Sequence, residues 1–487
     1  MKYYLTTPIY YVNDKPHIGH AYSTIAADVL ARWHRAKKDD VLFSTGTDEN
    51  SQKSVEAAEA VGQPVEKFVD QAAQHWEDVF NQLSFTHDTF IRTTSSQHKK
   101  AVVTLLKTIE NKNIDDIYLG DYEGYYCTGC ESFVSENELE EGRCSAHKTK
   151  PRKIKEKNYF FRLSRYRDQL LEYYQKNPDF IQPESARNKM LDYITNEMED
   201  VSISRQSQQW GIRLPQDEDH AIYVWFDALV NYLTVAGYPD DKEKFAKYWP
   251  ADVHIIGKDI IKFHCAIWPA MLLAAGLPLP KKIFAHGFFT INGQKISKSL
   301  GNIIDPIELI KEYPFDAIRY YLLRDIPFGN DGDFSHARLL DRYNADLANG
   351  LGNLVSRILN MVEKFSAGKT LGVNEKTPRV EEARAKLKSV NTHIENLAFD
   401  KALEIIWQAI SDADELIEKT KPWELAKRAG KEAREELNKV LTELYATLVA
   451  INEALAPFLP DTHQKLTRLL AARPFKKPAE PLFARKL

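Results

Sequence analysis

The chain has 487 residues, 43% hydrophobic and 28% charged, with a net charge of −4. This apolar share supplies several packed cores and excludes a wholly disordered chain, and at about 100–200 residues per domain the length corresponds to three or four domains. The charge balance excludes a nucleic-acid binder that relies on bulk positive charge, and leaves RNA contact to local basic surfaces.

The first predicted element is a strand at Tyr3–Val12, rich in Tyr, Ile and Thr. After the turn cluster Asn13-Asp14-Lys15-Pro16, apolar residues from Ile18 to Trp33 recur at steps of three and four, the period of a helix over His17–Arg35. Val41–Thr45 reads as a short buried strand. Strand, helix and strand in this order open a parallel, doubly wound sheet, so residues 1–115 are assigned to the first half of a Rossmann-like catalytic domain. Residues 116–220 are richer in charge and hold three of the four cysteines, which marks an insert with a knuckle at about 125–150. The sheet pattern resumes at Ala221–Phe226 and Val253–Gly257, followed by a helix at about Ile260–Ala275 and a strand at Ile283–Thr290, giving the second half of the domain over 221–290. The longest apolar run, Ala266–Pro280, is broken by prolines and falls short of the ~18–20 residues of a membrane span. With no signal-peptide pattern at the N-terminus, the expectation is a soluble, cytoplasmic protein. Residues 291–335 form a loop-containing link. From 336 to 487 the periodicity is helical, with runs ended by Pro422 and Pro457, and the segment from Pro474 onward reads as an extended tail. The fold class is therefore α/β: a split parallel sheet, a cysteine-containing insert and a helical bundle.

Two short signatures carry chemistry. His17-Ile18-Gly19-His20 opens the first helix directly after the first strand, where backbone N–H groups and the helix dipole favour an anion, and the imidazoles add donors. Alone, such a tetrapeptide is as well explained by two ordinary helix-start histidines. Lys295-Ile296-Ser297-Lys298-Ser299, with Gly293 and Gly301 on either side, reads as a loop whose lysines bracket an anionic leaving group; alone, it is better explained as a solvated Lys/Ser loop. Their co-occurrence favours a nucleotide-binding enzyme. The spacing Cys127-x2-Cys130-x13-Cys144-x2-His147 is that of a closed, structural Zn2+ site rather than a chance cluster of thiols, whereas Cys265, alone in an apolar helix, reads as a small buried side chain.

Taken together, the two signatures resemble those of class I aminoacyl-tRNA synthetases. The flanking segments Thr7-Pro8-Ile9-Tyr10-Tyr11-Val12-Asn13, Thr45-Gly46-Thr47-Asp48-Glu49, Tyr223-Val224-Trp225-Phe226-Asp227-Ala228-Leu229, Ile256-Gly257-Lys258-Asp259-Ile260 and Ala285-His286-Gly287-Phe288 narrow the resemblance to the methionyl-tRNA synthetases. This resemblance implies a ligase that joins L-methionine to tRNA(Met) with ATP. It implies catalytic roles for His17, His20, Lys295 and Lys298, and ATP contacts from Gly19, Arg205, Gly257, Asp259, Ser297 and Ser299. It implies a methionine pocket of Ile9, Tyr11, Asp48, Trp225, Ala228, Leu229, Tyr232, Ile260 and His264, with Asp48 holding the ammonium group. In the helical domain it implies anticodon contacts from Asn349, Asn353, Arg357, Pro422 and Trp423. Mg2+ is expected to accompany ATP on general grounds.

Three departures from the family pattern stand out. Ile296 occupies a position that is usually Met. Asn50-Ser51 follow Asp48-Glu49 where His-Gly is common, which leaves the geometry beside the substrate amine open. The chain also lacks a further C-terminal dimerisation module, so a monomer is expected. Two other readings remain open at this point: a class I synthetase for another apolar amino acid, and a non-catalytic tRNA-binding protein on a synthetase scaffold. A small nucleotidyltransferase would leave the cysteine insert and the helical domain unexplained.

Overall fold

A computed structural model describes residues 1–127, 132–134, 139–144, 149–291, 293–296, 302–366 and 376–486, with 132–134 and 295 described by their backbone alone. The chain forms two units, one of Met1–Ala27 and Lys38–Gly287, the other of Asp28–Lys37 and Phe288–Leu487.

The first unit is built on strands β1 (Lys2–Tyr11), β2 (Asp40–Asp48), β3 (Thr89–Arg92), β4 (Ile117–Cys127), β5 (Arg152–Phe161), β6 (Ile181–Gln182), β7 (Val253–Gly257) and β8 (Ile283–His286). Six of them form one sheet in the order β3-β2-β1-β7-β8-β6, with every neighbouring pair parallel. All five residues of β7 and all four of β8 are buried, as expected where helices cover both faces of a parallel sheet. The order reverses between β1 and β7, and a crevice at the carboxyl ends of the strands beside such a reversal is where open α/β sheets bind ligands. Two local features shape that edge. The β1–β2 register shifts between Thr6 and Ile9, because Pro8 has no N–H for the ladder, and this re-aims Ile9 and Tyr11. At Gly46 an added Cβ would lie 2.0 Å from the Ile91 carbonyl oxygen, so only glycine lets β2 approach β3 there.

The helices of this unit that concern the site are α1 (Ile18–Ala36, whose second half groups with the other unit), α2 (Gln52–Ala60), α3 (Val65–Gln82), α4 (Ser96–Lys112), α5 (Val224–Ala228), α6 (Asn231–Ala236) and α7 (Trp268–Ala275). Two predicted strands differ from the observed elements. Ala221–Phe226 does not rejoin the parallel sheet: its strand, Asp217–Ile222, pairs antiparallel with Ser204–Arg205 and Arg213–Leu214 and ends at Ile222. From Tyr223 the chain turns into α5, with Phe226 N–H donating to Tyr223 O at 2.9 Å. A short wholly apolar run carries no period that separates strand from buried helix, which is why the sequence pattern misplaces it. Ile283–Thr290 likewise splits, into β8 and a separate strand, Phe289–Ile291, on either side of Gly287.

Within the stretch read as an insert, β4 and β5 pair antiparallel from Ile117↔Phe161 to Tyr126↔Arg152. Beyond them lies the hairpin Leu139–Glu140/Arg143–Cys144, whose turn residues Glu141 and Gly142 both have positive φ (52° and 74°), the combination that two-residue hairpins require. The same stretch supplies β6 to the main sheet.

The second unit is mostly helical: α8 (Phe315–Arg324), a wide π-helical segment Tyr343–Gly352 running into α9 (Asn353–Phe365), α10 (Pro378–Lys388), α11 (Phe399–Thr420), α12 (Lys431–Leu455) and α13 (Pro460–Ala471). The predicted stripes are the buried ones. Leu403, Ile406, Ile410, Ala413 and Ile417 face inward on α11, and Val440, Leu441, Leu444, Leu448, Ile451 and Leu455 on α12. α11 stops where Lys421 turns left-handed (φ 45°) ahead of Pro422. Arg319 is fully buried and spends its donors on Asp28 Oδ2 (2.7 Å), Phe458 O (2.7 Å) and Pro457 O (2.9 Å). The C-terminal segment is irregular, as predicted, but it is pinned. Phe475 and Phe483 are buried, Tyr343 O–H donates to Ala484 O at 2.8 Å, and Asn344 Nδ2 donates to Lys486 O at 3.0 Å.

Candidate active site at the carboxyl edge of the parallel sheet

His17 and His20 sit where the turn after β1 enters α1, and the signature caps its own helix. Gly19 N–H donates to His17 Nδ1 at 3.1 Å, and His17 N–H donates to His20 Nδ1 at 3.2 Å. Both Nδ1 atoms are acceptors, which leaves the ring protons on Nε2. The rings stack at 3.6 Å between centroids, and His20 also packs against Tyr10 and Trp76. Burial, with the neighbouring His17 as a smaller cause, holds His20 well below the ordinary imidazole range, so it is a neutral N–H donor at physiological pH. A Cβ on Gly19 would fall 2.9 Å from His17 Cε1: the space left by the glycine is taken by the histidine ring. The rings thus already satisfy part of the first backbone N–H groups and leave their Nε2 edges turned away from those bonds.

The end of β1 also borders an open cavity. Its walls include Ile9 and Tyr11 from β1, Asp48 from the end of β2, Trp225 and Ala228 from α5 with Leu229 after it, Tyr232 from α6, Ile260 after β7, and His264. The structure therefore brings together all nine residues singled out for the amino-acid pocket, drawn from four segments of the sequence. Pro8 and Asn231 also line it and were not foreseen. Trp225 stacks on Phe263 at 3.8 Å with a 5° interplanar angle, and meets Tyr11 edge to face at 6.4 Å. His264 lies in Phe263–Ile267, where the helix widens to a π turn before α7, a distortion that aims a side chain off the regular helical stripe. Its Nδ1–H is placed on Ile260 O at 3.0 Å, so Nε2 accepts the Tyr232 hydroxyl proton at 2.8 Å. Burial pushes His264 down to about 4, and burial likewise raises Tyr232, so this pair is neutral. The Trp225 indole nitrogen is buried with no hydrogen-bond partner. The cavity is thus apolar and aromatic, with a carboxylate at one place and a neutral hydroxyl–imidazole pair at another.

Behind these walls, Tyr232 stacks on His254 at 4.1 Å, and its backbone carbonyl accepts from Tyr4 O–H at 2.8 Å. Gly257 is buried at the end of β7 and Asp259 is exposed just past it, on the same edge of the sheet. Arg205 is not among the cavity walls and lies in the small antiparallel sheet. It is buried beneath the Tyr223 ring (4.3 Å) and the Tyr126 ring (5.4 Å), with Nη1 donating to Ser202 Oγ at 2.8 Å and Ser204 O at 2.7 Å.

Of the four residues singled out for metal, Cys127 and Cys144 are buried in one small cluster with Tyr125 and Leu139, while Cys130 and His147 lie outside the described residues. Ser297, Lys298 and Ser299 also lie outside them, and Lys295 is described by its backbone on the strand Gln294–Lys295. Ile296 is buried, which accounts for an apolar residue there. In the helical unit, Asn349 and Asn353 are exposed one turn apart. Arg357, farther along α9, is engaged with Asp414 (3.0 Å) and Glu418. Pro422 is buried and Trp423 half-buried.

Among the described residues no helix is long and apolar enough to cross a membrane. The family model described as tRNA synthetases class I (M) matches residues 3–140 and 130–359. The methionine–tRNA ligase of Caldanaerobacter subterraneus subsp. tengcongensis is 46% identical over 470 residues, covering 95% of this chain and 73% of that protein. The methionine–tRNA ligase of Thermotoga maritima is 44% identical, covering 96% of this chain and 75% of that one. Among solved structures, Mycobacterium tuberculosis methionyl-tRNA synthetase in complex with methionyl-adenylate superposes with a TM-score of 0.95 at 39% identity, over 99% of this chain and 100% of that chain. Fold, cavity and relatives agree: the chain belongs to the methionyl-tRNA synthetases of class I.

Proposed function

We propose that this chain is a methionine–tRNA ligase whose amino-acid site is the cavity between β1, β2, α5 and α6, the observation that carries the reading being the convergence of a buried carboxylate with a neutral aromatic wall. Methionine is an unbranched, polarizable thioether. An aromatic pocket such as Tyr11, Trp225 and Tyr232 with Phe263 behind Trp225 provides the dispersion contacts it needs, and the neutral Tyr232–His264 pair supplies polarity without charge. Asp48 would hold the ammonium group by a charge-assisted hydrogen bond.

With the amine fixed, the methionine carboxylate attacks the α-phosphate of ATP and pyrophosphate leaves. A terminal ribose hydroxyl of tRNA(Met) then attacks the adenylate carbonyl and AMP leaves. Neither step needs a protein nucleophile, so the protein contributes alignment and charge stabilisation. His17 and His20 would give Nε2–H donors to phosphate oxygens. Lys295 and Lys298 would offset charge on the leaving pyrophosphate, with Ser297 and Ser299 beside them. Gly257 and Asp259 would receive the adenosine, Gly19 would keep the His17 ring folded onto the helix start, and Arg205 would act from the phosphate side. Mg2+ bound with the nucleotide would supply charge screening on its phosphates. Cys127 and Cys144, buried together, fit half of a thiolate-rich shell that Cys130 and His147 would complete, so Zn2+ there would stiffen the insert. Asn349, Asn353, Arg357, Pro422 and Trp423 would receive the anticodon. On this reading the enzyme works in the cytoplasm as a monomer.

The test is ATP–pyrophosphate exchange with methionine, leucine and cysteine. Exchange driven by methionine alone supports the assignment. Equal exchange with leucine or cysteine, or none with methionine, refutes it.

A further inference from the structure

Asn50, close to Asp48 in the chain, sits in a buried hydrogen-bond network. Its side-chain nitrogen donates one proton to Asp227 Oδ2 at 2.7 Å and the other to Thr93 O at 3.1 Å. The second oxygen of Asp227 meets His98 Nε2 at 2.7 Å. With Nε2–H donating to Asp227, the His98 Nδ1 is left to accept the Thr234 hydroxyl proton, at 3.1 Å. Asn50, Asp227 and His98 are all essentially inaccessible, at 1%, 0% and 0% exposure, and none of them lines the cavity.

The three come from different parts of the fold. Asn50 is two residues beyond Asp48 at the end of β2, Asp227 is in the five-residue helix α5 between Trp225 and Ala228, and His98 is in the first turn of α4. The backbone around Asn50 is held as well. Glu49 N–H donates to Thr93 Oγ1 at 2.8 Å, Trp210 Nε1 donates to Glu49 O at 2.8 Å, and Gln208 Nε2 donates to Asn50 O at 3.1 Å. A helix as short as α5 has little rigidity of its own. A buried carboxylate on it that keeps all its partners fixes its position, and one that loses a partner must move or admit water.

We propose that Asn50, Asp227 and His98 form a buried positioning bridge that sets the distance between the ammonium-binding carboxylate, Asp48, and the side-chain wall carried by α5, Trp225 and Ala228. The bridge thereby governs methionine affinity and leaves the phosphate chemistry alone. It rests on the reading of the cavity as the methionine site. A single amide nitrogen with two protons serves both Asp227 and the Thr93 carbonyl, which explains how asparagine is accommodated there without a vacant acceptor on either side.

The test is the exchange assay on the full chain, with separate KM values for methionine and ATP, applied to Asn50→Ala, Asn50→His and His98→Gln. Asn50→Ala is expected to raise the methionine KM roughly tenfold, with the ATP KM and kcat within about twofold of wild type. Asn50→His, which returns one ring N–H toward Asp227, is expected to recover the methionine KM to within about threefold of wild type. His98→Gln, which keeps one donor on Asp227, provides the same reading if Asn50→Ala does not fold, with a rise of a few-fold. An unchanged methionine KM in a folded variant overturns the bridge, as does a fall in kcat at constant KM, the mark of a smaller folded fraction. Absence of methionine-dependent exchange in the wild type overturns the site itself, and the bridge with it.

Discussion

The carboxyl edge of the parallel sheet and the face of α9 both carry side chains that the sequence singles out for ligand contact, and the fold treats the two sets differently. At the sheet edge, Asp48, Tyr11, Trp225, Tyr232 and His264 are held by strand ends, short helices and a π turn, and they line one cavity. In the helical unit, Asn349 of the π-helical segment and Asn353 at the start of α9 face solvent, and Arg357 is already paired with Asp414 and Glu418. A small molecule must be enclosed, so its site is built into the core. On the proposed reading, a single-stranded RNA loop brings its own shape and charge, so residues that contact it would be left on a surface and would exchange internal partners for it.

The contrast predicts that damage to the sheet edge abolishes amino-acid activation, whereas damage to the helical face spares it. The largest effect is expected for His20→Ala. Loss of one preorganised donor to the phosphates lowers the rate of methionine-dependent pyrophosphate exchange by about 10²–10³, and a fall of less than tenfold would remove His20 from the chemistry. Next is Trp423→Ala, expected to lower tRNA charging by roughly 10- to 100-fold through the loss of one stacked base, with exchange nearly intact. Equal loss in both assays would erase the distinction between the two regions.

A smaller effect concerns pH. Burial takes His264 from an ordinary value of 6.5 down to about 4. Between these values the unfolded chain binds a proton that the folded chain does not, so this contribution to stability is full above pH 6.5 and is lost as pH falls toward 4. His20, His254 and His286 are lowered in the same direction, chiefly by burial. His264→Gln should therefore lose less melting temperature than wild type between pH 7 and pH 5. A steeper loss in the variant would contradict the neutral Tyr232–His264 pair. The smallest effect is expected for Ile296→Met: one buried apolar side chain replaces another of similar volume, which costs less than about 1.5 kcal/mol, and exchange stays near the wild-type rate.

Much of this was legible in the sequence where a period or a motif carried it. The stripes of α11 and α12 predicted their buried faces, and the start of α1 fell within a residue of where it was placed. Resemblance, rather than pattern, located the pocket. Trp225 and Tyr232 lie in an apolar stretch broken by Asp227 and Asn231 that carries no clear period, and for the same reason Ala221–Phe226 reads as a strand although its second half is α5. The bridge through Asn50, Asp227 and His98 left no local signal at all, since its members are 48 and 129 or more residues apart and each looks ordinary among its neighbours. The self-capping of α1 by its own histidines was equally hidden, because it depends on which nitrogen of each ring turns back toward the chain.

The account stands most directly on the equilibrium binding of L-methionine to the free chain, measured by titration calorimetry for wild type and for Asp48→Asn. One methionine per wild-type chain, with affinity about 10²-fold weaker in the variant, is the expected result; equal affinity in the two proteins, or no binding by the wild type, would contradict it.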